Sequence, residues 1–265
     1  MQSPGATDDR GTVVSGQTVR HGPGVTANRA FPTDAYPSSL DPFVLFERFS
    51  IEPGRGFPMH RHEGFEIVTY MLGGGMDHAD SLGVEHTASA NEAMHITAGA
   101  GIEHSEFPAD DAACNGLQLW INLPREAKTA DPDYADATAD DLPTETLDGA
   151  TVTTVVGEGS PLEPRTPMQY VDVRVTDAWT WSPDDGWAGF VYGIDGSGRI
   201  VDTGSGRDGA DRSGPDDAAA FGAGDVRPIT DGSAVELRSD GTMRVVAVAG
   251  RPHDEPIRLR GPVVR

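Results

Sequence analysis

Residues 60–70, His60-Arg61-His62-Glu63-Gly64-Phe65-Glu66-Ile67-Val68-Thr69-Tyr70, set two imidazoles one residue apart at the mouth of an apolar run rich in β-branched residues. Side chains two apart on a strand share a face, so His60 and His62 project together. Glu66 has the same parity and follows them if the strand is regular. Residues 97–108, TAGAGIEHSEFP, repeat the arrangement: His104 and Glu106 sit two apart after a glycine-rich approach. A second strand laid beside the first would bring three ring nitrogens and a carboxylate to one point. That donor set suits a divalent transition metal, and four protein ligands leave an octahedral ion two positions for water, substrate or dioxygen. A single His-x-His pair reads more readily as surface or hydrogen-bonded histidines than as a metal site; the second same-face pair turns the reading to a metal site.

Outward from this stretch the sequence reads as closely spaced strands, from DPFVLFERFSI (41–51) through FEIVTYML (65–72), a GGG turn (73–75), AMHITAG (93–99) and IEHSEF (102–107) to LQLWINLP (117–124). Residues 1–35 are polar and turn-rich and form an N-terminal arm, with disorder expected in the first ten. The acidic, alanine-containing stretch 125–143 has no apolar face wide enough for a core helix and reads as a connector between residues 36–124 and 144–265. A second β unit follows in ATVTTVVGEG (150–159), YVDVRVTDAWTW (170–181), WAGFVYGIDG (187–196), AVELRS (234–239) and MRVVAVAGRP (243–252). The Gly/Asp-rich stretch 202–225 reads as a mobile surface loop. Trp179, Trp181 and Trp187 are expected to anchor the second sheet. The many Gly (33) and Pro (20) fit turns between strands, and the chain is classed as all-β.

Seven of the eight histidines precede residue 105, so the chemistry belongs to the first unit. His78, His86 and His95 are not assigned as ligands: the first two lie in turn-like surroundings, and His95 either faces the pocket or packs. Phe57, Met59, Met76 and Phe107 flank the ligand stretches as candidate apolar lining. Cys114 opens a strand-like run and is read as a small core residue.

The formal charge is -22, spread along the chain, and Lys128 is the one lysine among 20 basic residues. Such a surface fits a salt-adapted cytoplasm, where the Debye length falls to about 3 Å and self-repulsion costs little. Thermal melts across a salt series check this reading, which expects the fold to weaken on dilution. The same charge argues against direct binding of nucleic acid. Residues 1–15 lack the basic start and apolar core of a signal peptide, and no run approaches 18 apolar residues, so a soluble, intracellular protein off the membrane is expected.

The spacing of Gly54, His60, His62, Glu66 and Gly73 satisfies the first cupin motif, and Gly101 with His104 resembles the core of the second. Gly99 stands where that motif has proline, and Pro108 where it has asparagine. FPMHRHEGFEIVTYML, DSLG (80–83), HITAGAGIEHSEFP, GLQLWINLP (116–124) and AGRPHDEPIRLRGPVV resemble the pirin family, from about residue 17 to the C-terminus. The resemblance implies two cupin-type β-barrels (double-stranded β-helices) packed against each other, with one divalent metal, most often Fe(II), in the N-terminal barrel. It maps the ligands to His60, His62, His104 and Glu106, whereas the general cupin motif makes Glu66 the ligand. Glu66 then becomes a residue that fixes an imidazole tautomer or swings in as an alternative ligand. The activity implied is of quercetin 2,3-dioxygenase type on a planar aromatic hydroxy compound, Glu106 accepting the substrate proton. The alternative is a metal-dependent regulatory cofactor that binds a protein partner, and a third reading is a metal held for stability alone.

Overall fold

The computed structural model describes residues 12–36, 38–203, 218–230 and 232–265. The first ten residues and most of the expected 202–225 loop lie outside the described residues, and the described end of that loop is a strand, Ala219–Gly222, paired with residues 197–200. The first unit is built from eleven strands: β1 Gln17–Arg20, β2 Val25–Phe31, β3 Phe43–Ile51, β4 Phe57–His62, β5 Phe65–Gly73, β6 Gly75–Asp80, β7 Glu85–Ser89, β8 Ala93–Thr97, β9 Ile102–Pro108, β10 Cys114–Asn122 and β11 Asp133–Ala137. They form a seven-stranded sheet in the order β11-β8-β5-β10-β3-β2-β1 and a four-stranded sheet in the order β4-β9-β6-β7. The second unit repeats this plan with another seven-stranded and another four-stranded sheet, and Val14–Ser15 crosses over to pair with its strand Asp225–Ile229. The two-barrel, all-β expectation holds. Among the described residues no helix is long and apolar enough to cross a membrane.

Three further segments differ from the sequence reading. The stretch 125–143 carries β11, which pairs with β8, so the first sheet reaches into the expected connector. The polar arm contributes β1 and β2 to that sheet. The turn-like surroundings of His78 and His86 are the paired strands β6 and β7. All three are short or polar strands, so local periodicity does not reveal them.

Strand β5 shows how the core is divided. It is buried on both faces, as a strand between two packed layers must be. Phe65, Ile67 and Met71 join apolar clusters within the first barrel, whereas Val68 and Tyr70 join the core shared with the second. Aromatic rings close that shared core: Phe190 lies 4.7 Å from Phe46 and 5.0 Å from Phe31 between ring centres, spacings typical of stabilising aromatic pairs. The second barrel is filled by one continuous apolar cluster containing Trp179 and Trp181. The first barrel holds two separate clusters, and the imidazoles lie between them.

Candidate metal centre

The β4 strand ends at His62, and Glu63 and Gly64 carry the chain from the four-stranded into the seven-stranded sheet. Gly64 makes this possible at φ +83°, where a Cβ would collide with the carbonyl of Val264. The switch breaks the parity that would have kept Glu66 beside His60 and His62. Glu66 instead faces the second barrel, its Oε1 accepting from His95 Nε2 (3.1 Å), Thr97 Oγ1 (3.1 Å) and the backbone N–H of Arg165 (3.0 Å). The expectation that Glu66 follows the two histidines on one face is therefore corrected: it does orient an imidazole, but that of His95.

Antiparallel pairing of β9 with β4 sets His104 directly opposite His60, and Ile102 opposite His62. One ring nitrogen from each of His60, His62 and His104 lies within 4.8 Å of the other two. The donors are prepared for a cation. His60 Nδ1 donates to Pro58 O (2.9 Å), and His62 Nδ1 approaches Pro262 O at 3.4 Å. A carbonyl only accepts, so both protons sit on Nδ1 and both Nε2 lone pairs are free. His104 is fully buried, and neither of its ring nitrogens has a hydrogen-bond partner. An orphaned buried polar atom costs about 1–3 kcal/mol, and coordination would relieve it. On this observation the three imidazoles fit a divalent metal.

Burial, followed by the charge of neighbouring imidazoles, lowers the pKa of His62 and of His104 to about 3. Both rings thus stay neutral and able to ligate at any ordinary pH. For the metal-free protein the sign follows directly: the unfolded chain takes up these protons near pH 6.5 and the folded one only near pH 3. Stability is complete above pH 6.5 and falls through that window on acidification. Acid titration of the metal-free protein by circular dichroism is expected to show this loss, reduced by His104→Ala; identical profiles for the two would remove the effect from this site.

Glu106, two residues beyond His104, is buried on the same face but lies outside the tight triad. The extra residue of a bulge in β4, between Phe57 and His60, sets Glu106 opposite Phe57 while His104 stands opposite His60. Gln118 Nε2 contacts both carboxylate oxygens at 3.4 Å, and Trp120 Nε1 donates to Gln118 Oε1 at 3.1 Å. Burial raises the Glu106 pKa, opposed by the charges of His60 and His78.

Sequence reasoning missed four residues here. His78 and Asp80 on β6 stand directly across β9 from Glu106 and His104. His78 is buried, stacks on Tyr134 (4.8 Å between centroids) and holds Asp80 Oδ2 at 3.2 Å, while its ring lies 5.4 Å from that of His104. Its alternating spacing with Asp80 is a legible strand signal, masked by the adjacent glycines. Gln118 and Trp120 alternate with Leu117, Leu119 and Ile121, a period-two pattern that puts them on the barrel-interior face. His86 is only partly buried, on β7. Of the suggested lining, Phe57 lies 5.8 Å from His60, Met59 and Phe107 point outward, and Met76 is core. Trp120 and Phe65, at 5.1 and 5.2 Å from His62, complete the aromatic wall. Gly99 adopts φ +46°, which proline cannot reach, and this accounts for its replacing the proline of the general motif.

Comparison with known proteins agrees with this architecture. The family model described as Pirin matches residues 24–121. Pirin-1 of Arabidopsis thaliana is 36% identical over 231 residues, which cover 85% of this chain and 77% of that protein. A Pseudomonas aeruginosa protein provisionally named quercetin 2,3-dioxygenase is 32% identical over 267 residues, covering 94% of this chain and 89% of that one. The fold superimposes with a TM-score of 0.68 on a bacterial pirin from Escherichia coli, solved in complex with nickel(II), at 21% identity over 89% of this chain and 95% of that one.

Proposed function

The chain belongs to the pirin family, and from that premise we propose that it is a mononuclear metal dioxygenase of quercetin 2,3-dioxygenase type, acting on a planar aromatic hydroxy compound. The observation that carries the reading is the imidazole triad, with two Nε2 lone pairs free and both nitrogens of His104 unpartnered. His60, His62 and His104 would hold a divalent metal, with Glu106 the fourth ligand by family resemblance; Fe(II) is the ion we assign. The nickel bound by the related bacterial pirin supports a divalent site, and the provisional name of the Pseudomonas relative supports the reaction class. When bound, such an ion supplies Lewis acidity toward a phenolic oxygen and open positions for substrate and dioxygen.

The chain's own groups do the rest. His60 is only partly buried, so the substrate enters on its side of the barrel, where Phe57 offers an aromatic face to a planar ring. Glu106 accepts the phenolic proton: burial raises its pKa, which makes the carboxylate a better base than one in water. Gln118, itself held by Trp120, keeps that carboxylate aimed. The apolar clusters on either side of the imidazoles exclude water.

Metal analysis followed by oxygen uptake with a panel of flavonols and catechols tests the proposal. The expected result is about one equivalent of metal per chain and oxygen consumption with at least one flavonol or catechol. A metal-loaded protein that consumes no oxygen with any of them would overturn the dioxygenase reading and leave the regulatory one. Two carboxamide variants separate the carboxylates. Glu106→Gln keeps an amide oxygen but loses the charge and the proton acceptor, so metal is partly retained while the rate falls about 100-fold or more. Glu66→Gln should keep full metal and lose about 1–3 kcal/mol of stability through its buried partners. Metal loss in Glu66→Gln alongside full activity in Glu106→Gln would reverse the two roles.

A further inference from the structure

Against its net charge of -22, the molecule gathers its one lysine and three arginines around a single concavity. The space, about 350 Å³, is lined by Arg125, Lys128, Glu255, Pro256, Arg258 and Arg265, so among its side chains four cations face one carboxylate. Glu255 is already engaged, its Oε2 accepting from the backbone N–H of Arg125 at 2.9 Å. Arg265 reaches Glu63 only at 4.0 Å, with its own side chain 72% exposed, a contact worth little. Among the described residues no carboxylate meets the guanidinium of Arg125 or Arg258. Lys128 Nζ is held by two neutral acceptors, Gly64 O (2.9 Å) and Asn122 Oδ1 (2.5 Å). Its ammonium is thereby fixed in place, and burial pushes its pKa down to about 8 against the opposing charge of Glu255.

We infer that this pocket binds a small organic oxyanion carrying at least two negative charges, a dicarboxylate or a phosphate ester. Guanidinium forks match the oxygen geometry of both groups, and a fixed ammonium adds a point charge. Pro256 and the aliphatic stems of the arginines supply an apolar wall for a carbon skeleton. The volume is that of a small-molecule pocket and admits no macromolecule. The walls come from two places: Arg125 and Lys128 from the turn after β10, and Arg258 and Arg265 from the C-terminal hairpin of Leu259–Arg260 with Val263–Val264 and its flanks. The hairpin also presents Pro262 O to Nδ1 of His62, so the pocket shares this segment with the support of one imidazole of the triad. The anion site itself stands whether or not the dioxygenase reading does.

Calorimetric titration of the full chain with inorganic phosphate and with succinate, at ionic strength balanced with chloride, tests the inference. At least one dianion should bind saturably and about tenfold or more tighter than acetate. The Arg125→Gln/Arg258→Gln double variant should weaken that binding about tenfold or more with an unchanged melting temperature. Arg238→Gln, on the second barrel, should leave it unaltered. A stronger response to phosphate identifies the phosphoryl group and a stronger response to succinate the dicarboxylate. Absence of saturable binding by either dianion, acetate binding equally well, or a double variant that binds as the parent does would overturn it.

Discussion

Replacing His104 with Ala is expected to take the bound metal from about one equivalent per chain to nearly none, without unfolding the protein. His104 is fully buried, opposite His60 in the sheet, and its ring centre lies 4.5 Å from that of His60 and 4.9 Å from that of His62. The metal-free fold should change little, because the variant trades a cavity for the removal of two unpartnered buried nitrogens. Metal-loaded parent protein should melt well above the variant, and a chelator should erase most of that difference. Elemental analysis with melts before and after chelation gives the answer. His60→Ala, at a less buried position, is the second variant should His104→Ala fold poorly. Full metal retention in both would place the metal elsewhere.

Asp172→Ala should be the most damaging single change to the joint between the barrels. Asp172, in the second barrel, is buried and receives Arg244 through Nε (2.9 Å) and Nη2 (2.6 Å) and the hydroxyl of Tyr70, from the first barrel, at 3.0 Å. Arg244 Nη2 also reaches Asn91 Oδ1, again in the first barrel, at 3.3 Å. Burial works against the Arg244 charge, but Asp172 outweighs it and the pKa rises. Removing Asp172 leaves a mostly buried guanidinium unpaired and the Tyr70 hydroxyl without its acceptor. Breaking one side of such a pair costs about 3–5 kcal/mol, roughly a 10 °C fall in melting temperature for a protein of this size. Asp172→Asn, which keeps an acceptor for Tyr70, should lose less. Calorimetry checks both, and a variant Asp172→Ala that melts within two or so degrees of the parent would show that the network adds little.

Much of this molecule is determined by its sequence alone. Period-two patterns and glycine-rich turns give the paired β units, and the spacing of His60, His62 and His104 gives the triad, because side-chain direction in a strand depends only on residue parity. Parity holds only while a strand continues, and here the tertiary structure decides. Gly64, at φ +83°, moves the chain between sheets, sending Glu66 to the second barrel, although its spacing satisfies the general motif. A bulge in β4 sets Glu106 opposite Phe57 and not opposite a histidine. Strand order brings His78 and Asp80 beside Glu106 and His104, and nothing local to GGGMDHADSLG reports that neighbour. The basic pocket is the same case: Arg125 and Arg258 are 133 positions apart, and charge counted along the chain says only that the protein is acidic. Sequence fixes which face a side chain takes within one element, whereas the pairing of elements fixes what that face meets.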